Sequence, residues 1–315
     1  MKKFLSFVLT GAVSILTAAD VNLFKKMWLE PDENTRVAIQ DKMQKVIDRT
    51  TKAEFEAFDD NPQSKSSNPV LNFYDSALER LLTDIPATRV EPGTVVIWYL
   101  YNLGFVIKTP DSCFGVDLHH RNAVRFAPFL DFIVVTHNHR DHYSIPLMRR
   151  MNELNKLVIS NFFPNPGYTK ASEYTHQIGN ITIICSEADH NYKLKKFTMP
   201  MEIICLTGDK KFVFYTSGDC GDHVFLEKRS EKIDVYAIHP RCAMDPVKAV
   251  AKLEPELTFI GHLQELGHEI NRYRWPFTLG RDVFNRLQKI GRQSYIPVWG
   301  EKFIWDGRKL HGRQK

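Results

Sequence analysis

Phe132-Ile133-Val134-Val135-Thr136-His137-Asn138-His139-Arg140-Asp141-His142 runs from an apolar, β-branched stretch straight into three histidines and an aspartate. The chain has 12 histidines in 315 residues, so three between positions 137 and 142 is a concentration that needs a cause. The apolar part reads as a strand. His137 and His139 are two apart, so at a strand end they point the same way. The chain must then turn, and Asp141 and His142 can face the same space from that turn. Imidazole nitrogen and carboxylate oxygen suit zinc and similar first-row metals. Four donors exceed what one open tetrahedral site takes and suit two adjacent ions.

The segment from His137 to His142 matches the H-x-H-x-D-H motif, and over about residues 92–300 the chain resembles the metallo-β-lactamase-fold superfamily. Later segments supply the other pieces of that pattern in order. Ser186-Glu187-Ala188-Asp189-His190, Thr216-Ser217-Gly218-Asp219 and Phe259-Ile260-Gly261-His262 each follow or end an apolar run. The resemblance implies that His137, His139 and His190 hold one divalent metal, that Asp141, His142 and His262 hold a second, and that Asp219 bridges them. It implies an α/β fold, the four-layer αββα metallo-β-lactamase sandwich. It also implies a binuclear hydrolase in which metal-bound hydroxide attacks an ester, lactone or phosphodiester, with Asp141 orienting the nucleophile. Zinc is the default ion, and manganese or iron also fits such donors. The resemblance makes Asp117 a hydrogen-bond partner of a ligand histidine. Where many relatives continue with proline, this chain has Leu118-His119-His120, which leaves those two histidines between a turn role and substrate contact. Ala243-Met244-Asp245-Pro246 resembles the branch containing ascorbate-6-phosphate lactonase and N-acyl-phosphatidylethanolamine phospholipase D, whereas Leu263-Gln264-Glu265-Leu266-Gly267-His268 departs from the usual lactonase continuation. An iron-dependent redox enzyme on the same fold, or a non-catalytic metal-binding protein, stands as the alternative.

Around this set lie weaker candidates. His239 follows the run Ile233–Ile238, and His268 lies six residues past His262; either suits a general acid or a substrate contact. Arg272 and Arg274 open a basic C-terminal stretch: residues 267–315 hold eleven Lys or Arg against four Asp or Glu, while residues 20–86 hold nine against thirteen. Both arginines are expected to draw a small anionic substrate such as a phosphate ester.

The remainder of the chain frames these sites. Hydrophobic residues make up 43% and charged residues 25%, which excludes a disordered chain, a fibre and a many-span membrane protein. A net charge of +5 is too mild to argue for a nucleic-acid partner. Cys113, Cys185, Cys205, Cys220 and Cys242 are odd in number and lack C-x-x-C spacing, so they read as buried thiols. Residues 1–19 have the charged start, apolar run and small-residue end of a signal peptide; the expectation is an exported protein, periplasmic or secreted, with no stable membrane span after cleavage, and the alternative is a buried or membrane-lying N-terminal helix on a cytoplasmic protein. Residues 20–90 show helical spacing, with a capping box at Thr51 and Glu54 and a turn-rich linker from Asn61 to Pro69, and are expected to form a helical extension on a domain spanning 91–315. Strand-like runs are expected from Thr94 onward, the last at Tyr295–Trp299. Helices are expected near Ser144–Leu154, His223–Ser230, Asp245–Leu253 and Leu279–Ile290.

Overall fold

The structure is a computed structural model that describes residues 20–169, 173–270 and 272–311. The expected signal peptide, residues 1–19, lies outside them. No helix among the described residues is long and apolar enough to cross a membrane.

Helix α1 (Glu33–Ile47) starts at Asp32, whose carboxylate accepts the Thr35 N–H at 3.0 Å. Helix α2 (Lys52–Asp59) starts at Thr51, whose hydroxyl accepts the Glu54 N–H at 3.1 Å. That is half of the expected capping box: the Glu54 carboxylate instead accepts the Asn68 side-chain N–H at 3.0 Å. Helix α3 (Pro69–Ala87) has proline in its first turn and buries Leu71, Tyr74, Leu78, Leu81 and Ile85, one apolar stripe at helical spacing.

From residue 95 the chain builds two seven-stranded sheets. The first runs β14-β13-β1-β2-β3-β4-β5, built from β1 (Val95–Tyr99), β2 (Phe105–Lys108), β3 (Cys113–Val116), β4 (Phe132–Val134), β5 (Leu157–Ile159), β13 (Lys302–Trp305) and β14 (Leu310–His311). The second runs β12-β11-β10-β9-β8-β7-β6, built from β6 (Glu173–Ile178), β7 (Ile181–Ser186), β8 (Met201–Thr207), β9 (Lys210–Thr216), β10 (Val235–Ile238), β11 (Leu257–Ile260) and β12 (Ser294–Tyr295). Phe105 joins the sheets, with its ring centroid 5.2 Å from Phe214 and 5.8 Å from Phe259. Helix α4 (Ile145–Glu153) packs beside β4 and β5; α5 (Pro246–Leu253) and α6 (Phe277–Lys289) pack together, α6 also against β11 and β12. The architecture is the expected αββα sandwich. Strands β3, β4 and β5 are parallel, as are β9 to β12, so the loops leaving several strands open on one rim.

Two local expectations change. The helix expected at His223–Ser230 is a single 3-10 turn, His223–Phe225. The Glu202 carboxylate takes the N–H groups of Arg229 and Ser230, at 2.8 and 2.7 Å, and holds the following chain out of a helix. The strand expected at Tyr295–Trp299 is only Ser294–Tyr295, because Pro297 has no N–H for a ladder and the Val298 N–H goes to Glu301 at 2.6 Å. Strand β6 is polar and largely exposed, so no apolar run announced it.

The extension is welded to the sandwich. Arg36 of α1 is buried, and its guanidinium donates to both oxygens of Glu301, at 2.6 and 2.8 Å, and to the Ile296 carbonyl at 2.6 Å. Arg121 reaches from the sandwich to the Asp75 carboxylate of α3 and to the carbonyls of Phe58, Asn61 and Ser64. His119 and His120 serve the same junction. His119 Nε2 lies 3.3 Å from Asp59, and the His120 ring stacks on Tyr74 with centroids 4.0 Å apart. All five cysteines are free and buried, as read from the sequence.

Removing one partner of a buried ion pair strands the other charge. Arg36→Ala is therefore expected to lower unfolding free energy by about 3–5 kcal/mol in denaturant titrations. Arg36→Met with Glu301→Leu is expected to recover most of it, since the stranded carboxylate is gone.

Candidate metal centre

The seven expected donors meet at the rim. Each arrives on a short loop from a strand end: His137, His139, Asp141 and His142 after β4, His190 after β7, Asp219 after β9 and His262 after β11. His137 and His139 lie past the end of β4, in the loop itself. His137, His139, His190 and Asp219 form one group, and Asp141, His142 and His262 a second, with donor atoms in each group within 4.8 Å of one another. In the first, His137 Nε2 is 3.1 Å from His139 Nδ1, and Asp219 Oδ2 is 3.8 Å from His137 Nε2 and 3.6 Å from His190 Nε2. In the second, His142 Nε2 is 3.3 Å from His262 Nε2, and Asp141 Oδ2 is 2.9 Å from His262 Nε2 and 3.5 Å from His142 Nε2. Asp219 Oδ1 turns to this second group, 3.3 Å from His142 Nε2 and 3.7 Å from His262 Nε2.

These side chains fit a pair of divalent ions. Zinc–donor bonds of about 2.0–2.1 Å put tetrahedral donors roughly 3.3–3.4 Å apart, and these donor distances, from 2.9 to 3.8 Å, bracket that spacing. Asp219 Oδ1 is buried with no hydrogen bond, an orphaned carboxylate oxygen that a cation would satisfy. The donors are hard or borderline imidazole and carboxylate, which suit zinc, manganese or iron.

Supporting residues hold the donors. Asp117, at φ 45°, accepts the Thr136 N–H and hydroxyl at 2.7 Å each and pairs with His142 Nδ1 at 3.0 Å. The Thr136 hydroxyl also meets His137 Nδ1 at 3.0 Å, so one carboxylate orients a histidine of each group. Gly218 is packed against this threonine: at φ 49°, a Cβ there would lie 2.6 Å from Thr136 Oγ1. Asn102, in the turn between β1 and β2, donates from its side chain to the Asp141 carbonyl and carboxylate at 3.2 Å each. Its own carbonyl accepts the His262 N–H at 2.8 Å, which helps hold His262 at φ 50°.

The field inside the site is divided. Burial, with His142 nearby, pushes the His137 imidazole well below its ordinary value. Burial and the neighbouring His190 bring His139 down to about 4. At His142 burial is overcome by Asp141, Asp219 and Asp117, which hold the imidazolium well above its usual range. At His262 burial is likewise overcome, by Asp219 and Asp141, and the value is raised. The Asp219 carboxyl sits well below its ordinary value, against the desolvation, because of His262 and His142.

The centre is the floor of a cavity of about 700 Å³. His239 and His268 line it. His239 Nδ1 accepts the Arg241 N–H at 2.9 Å, which leaves the ring proton on Nε2. Burial and His262 lower its value to about 3, so His239 is a neutral donor and not a store of protons. His268 differs: Nδ1 hydrogen-bonds the buried carboxylate of Glu265, and this outweighs burial and raises its value. Arg272 and Arg274 lie outside the cavity lining. Arg274 is buried and gives four of its N–H groups to the carbonyls of His268, Ile47, Thr50 and Leu266, so it fastens Leu266 and His268 to the end of α1 and does not line the cavity. Arg272 is exposed, its guanidinium 5.9 Å from the Tyr273 ring centroid.

Several residues of the site carry no signal in the local sequence. Asn102 could be sought only as an unusual polar residue in the tight turn Tyr101-Asn102-Leu103-Gly104. Helix α2 contributes Lys52, Phe55, Glu56 and Asp59 to one wall of the cavity. Asp59 binds His119, and Asp59 and Asp60 together hold Arg140, which sits between the donors His139 and Asp141. Asp219, His239 and Cys242 form a third donor group, which shares Asp219 with the pair already described.

No family model matches the chain, and no curated protein matches it in sequence. Among solved structures, the chain is similar to Igni18, a metallo hydrolase from Ignicoccus hospitalis, at 16% identity and a TM-score of 0.49, over 67% of this chain and 98% of that one. It is similar to CmlA, a diiron β-hydroxylase from Streptomyces venezuelae, at 13% identity and a TM-score of 0.48, over 69% of this chain and 54% of that one. It is also similar to YhfI, a metallo-β-lactamase fold protein from Bacillus subtilis, at 13% identity and a TM-score of 0.46, over 67% of this chain and 98% of that one.

Proton accounting gives a test. His142 and His262 hold protons more tightly than a free imidazole in the metal-free site, and a metal takes only their neutral forms. Zinc uptake at pH 7 is therefore expected to release protons, and apparent affinity to rise with pH. Calorimetry in buffers of different ionisation enthalpy measures both, and binding without proton release contradicts this arrangement. Asp117→Ala is expected to weaken zinc about 10–100-fold in chelator competition.

Proposed function

We propose that the protein is a binuclear metal-dependent hydrolase acting on an ester, lactone or phosphodiester of a small anionic molecule. The observation that carries this reading is the division of Asp219: its two oxygens face two complete donor groups at the floor of one cavity. His137, His139 and His190 would hold one ion, Asp141, His142 and His262 the other, with Asp219 between. When bound, such a pair supplies water activation near neutral pH and neutralises charge that develops on the attacked group.

The chain's own residues supply the rest. Asp141 is fixed by Asn102 and can orient a water proton. His239 presents an N–H to the cavity and can hydrogen-bond a substrate oxygen. Glu265 strengthens the hold of His268 on its proton, and His268 is the group suited to protonate a departing oxygen. The walls limit water access and set substrate size.

A hydrolysis panel of phosphodiesters, lactones, thioesters and β-lactams on zinc-reconstituted protein tests the reading. Turnover is expected with bis-p-nitrophenyl phosphate or an aryl ester, and His139→Ala is expected to abolish it. Equal activity in variant and parent removes His139 from the mechanism. Iron in protein purified from its native host, with oxygen consumption, overturns the hydrolase reading in favour of redox chemistry.

His268→Gln is expected to cut kcat about 10²–10⁴-fold for alkyl leaving groups, and much less for p-nitrophenolate, which needs no proton. Glu265→Gln removes the charge that raises His268, so the alkaline limb of the kcat profile is expected to move to lower pH.

A further inference from the structure

The charges lining the cavity are not equivalent. On the α2 wall, Lys52 lies 3.6 Å from Glu56, and Arg140 is held by Asp59 and Asp60. On loops that follow β10 and β7, Arg241 and Lys193 line the same cavity, and no carboxylate among the described residues pairs with either. Both are exposed to solvent. Arg241 is nevertheless well placed. Its N–H is bonded to His239 Nδ1, and the next residue, Cys242, donates its thiol to the Asp219 carbonyl at 3.1 Å. Its guanidinium lies over the Trp275 ring, 5.3 Å from the centroid. Trp275 is itself steady, since its carbonyl accepts the Gln264 N–H at 2.8 Å and the adjacent Arg274 is tied to four carbonyls. Tyr273 continues this wall, 6.1 Å from Trp275 and 5.7 Å from His268, and Phe55 enters the cavity from α2.

We infer that Arg241, with Lys193, is the anion subsite of the cavity and that Trp275, Tyr273 and Phe55 form the apolar subsite beside it. This deepens the hydrolase reading and rests on it: the substrate class is an amphiphilic anion, with a carboxylate or phosphate for Arg241 and an apolar group against the aromatic wall. The planar guanidinium, already held over the Trp275 ring and without a competing carboxylate, loses little freedom when it takes a bidentate anion. The role assigned from sequence to Arg272 and Arg274 passes to Arg241 and Lys193.

Equilibrium binding decides this without relying on turnover, so a failure of the hydrolysis panel and a failure here are separate results. Zinc-loaded protein is titrated in a calorimeter with 4-phenylbutyrate and with 4-phenylbutan-1-ol, which share the apolar part and differ in charge. The parent is expected to bind the carboxylate about tenfold tighter or more, with the preference shrinking as salt is raised. Arg241→Gln with Lys193→Gln is expected to reduce the preference to about threefold or less, Arg241→Lys to keep part of it, and Trp275→Ala to weaken both probes. Equal affinity of the parent for the two probes, or no binding of either, overturns the inference. So does a preference that survives in the double glutamine variant, which would place the carboxylate on the metal pair.

Discussion

A carboxylate buried between two sets of imidazoles sets the terms for the whole rim. Asp219 faces both donor groups with one oxygen each, and four histidine nitrogens lie within 4 Å of those oxygens. Such a gathering of lone pairs on a largely buried floor is costly unless cations or protons fill it. The supporting bonds follow from that need. Asp117 fixes one histidine directly and another through Thr136, and Asn102 holds Asp141 and the backbone of His262. Side chains far apart in the chain are thereby kept at ion-ready spacing by a scaffold that is mostly β-sheet below the rim.

The helical extension belongs to this centre as much as to the outer shell. Its α1 is fastened through Arg36 and through Arg274, and its α2 forms one wall of the cavity. The two acidic residues where α2 ends, Asp59 and Asp60, grip Arg140 in the middle of the donor loop. The shape of the cavity and the setting of the donor loop therefore share a physical support that lies outside the sandwich. Specificity residing in such additions, while the sheets stay constant, agrees with the general behaviour of widely used folds.

The legible part of the site was the part dictated by ion chemistry. Few residue types bind zinc-like ions, so the run from His137 to His142 stood out by itself, and the resemblance it opened then pointed to His190, Asp219 and His262, each just past an apolar run. Asp117 was legible through the resemblance. Central strands with continuous apolar runs were legible too, whereas β6 sits at an edge with polar side chains and β13 and β14 return late to complete the first sheet. What escaped was settled by long-range packing. Arg241 and Arg274 look alike in a charge count, yet one faces the cavity and the other caps backbone carbonyls. Asn102, Glu265 and α2 gain their roles only from neighbours brought in by folding. His119 and His120 join the extension to the core, and His119 also lines the cavity.

Gly218 carries no donor atom, yet its hydrogen stands where a methyl group would collide with the threonine serving both Asp117 and His137. Crowding there would spread to histidines of both donor groups while leaving all seven side chains intact in the gene. A survey of natural variants that tallied only ion-binding letters would pass such a chain as competent. The place where nothing protrudes is therefore as strict a marker of a working centre as the histidines themselves.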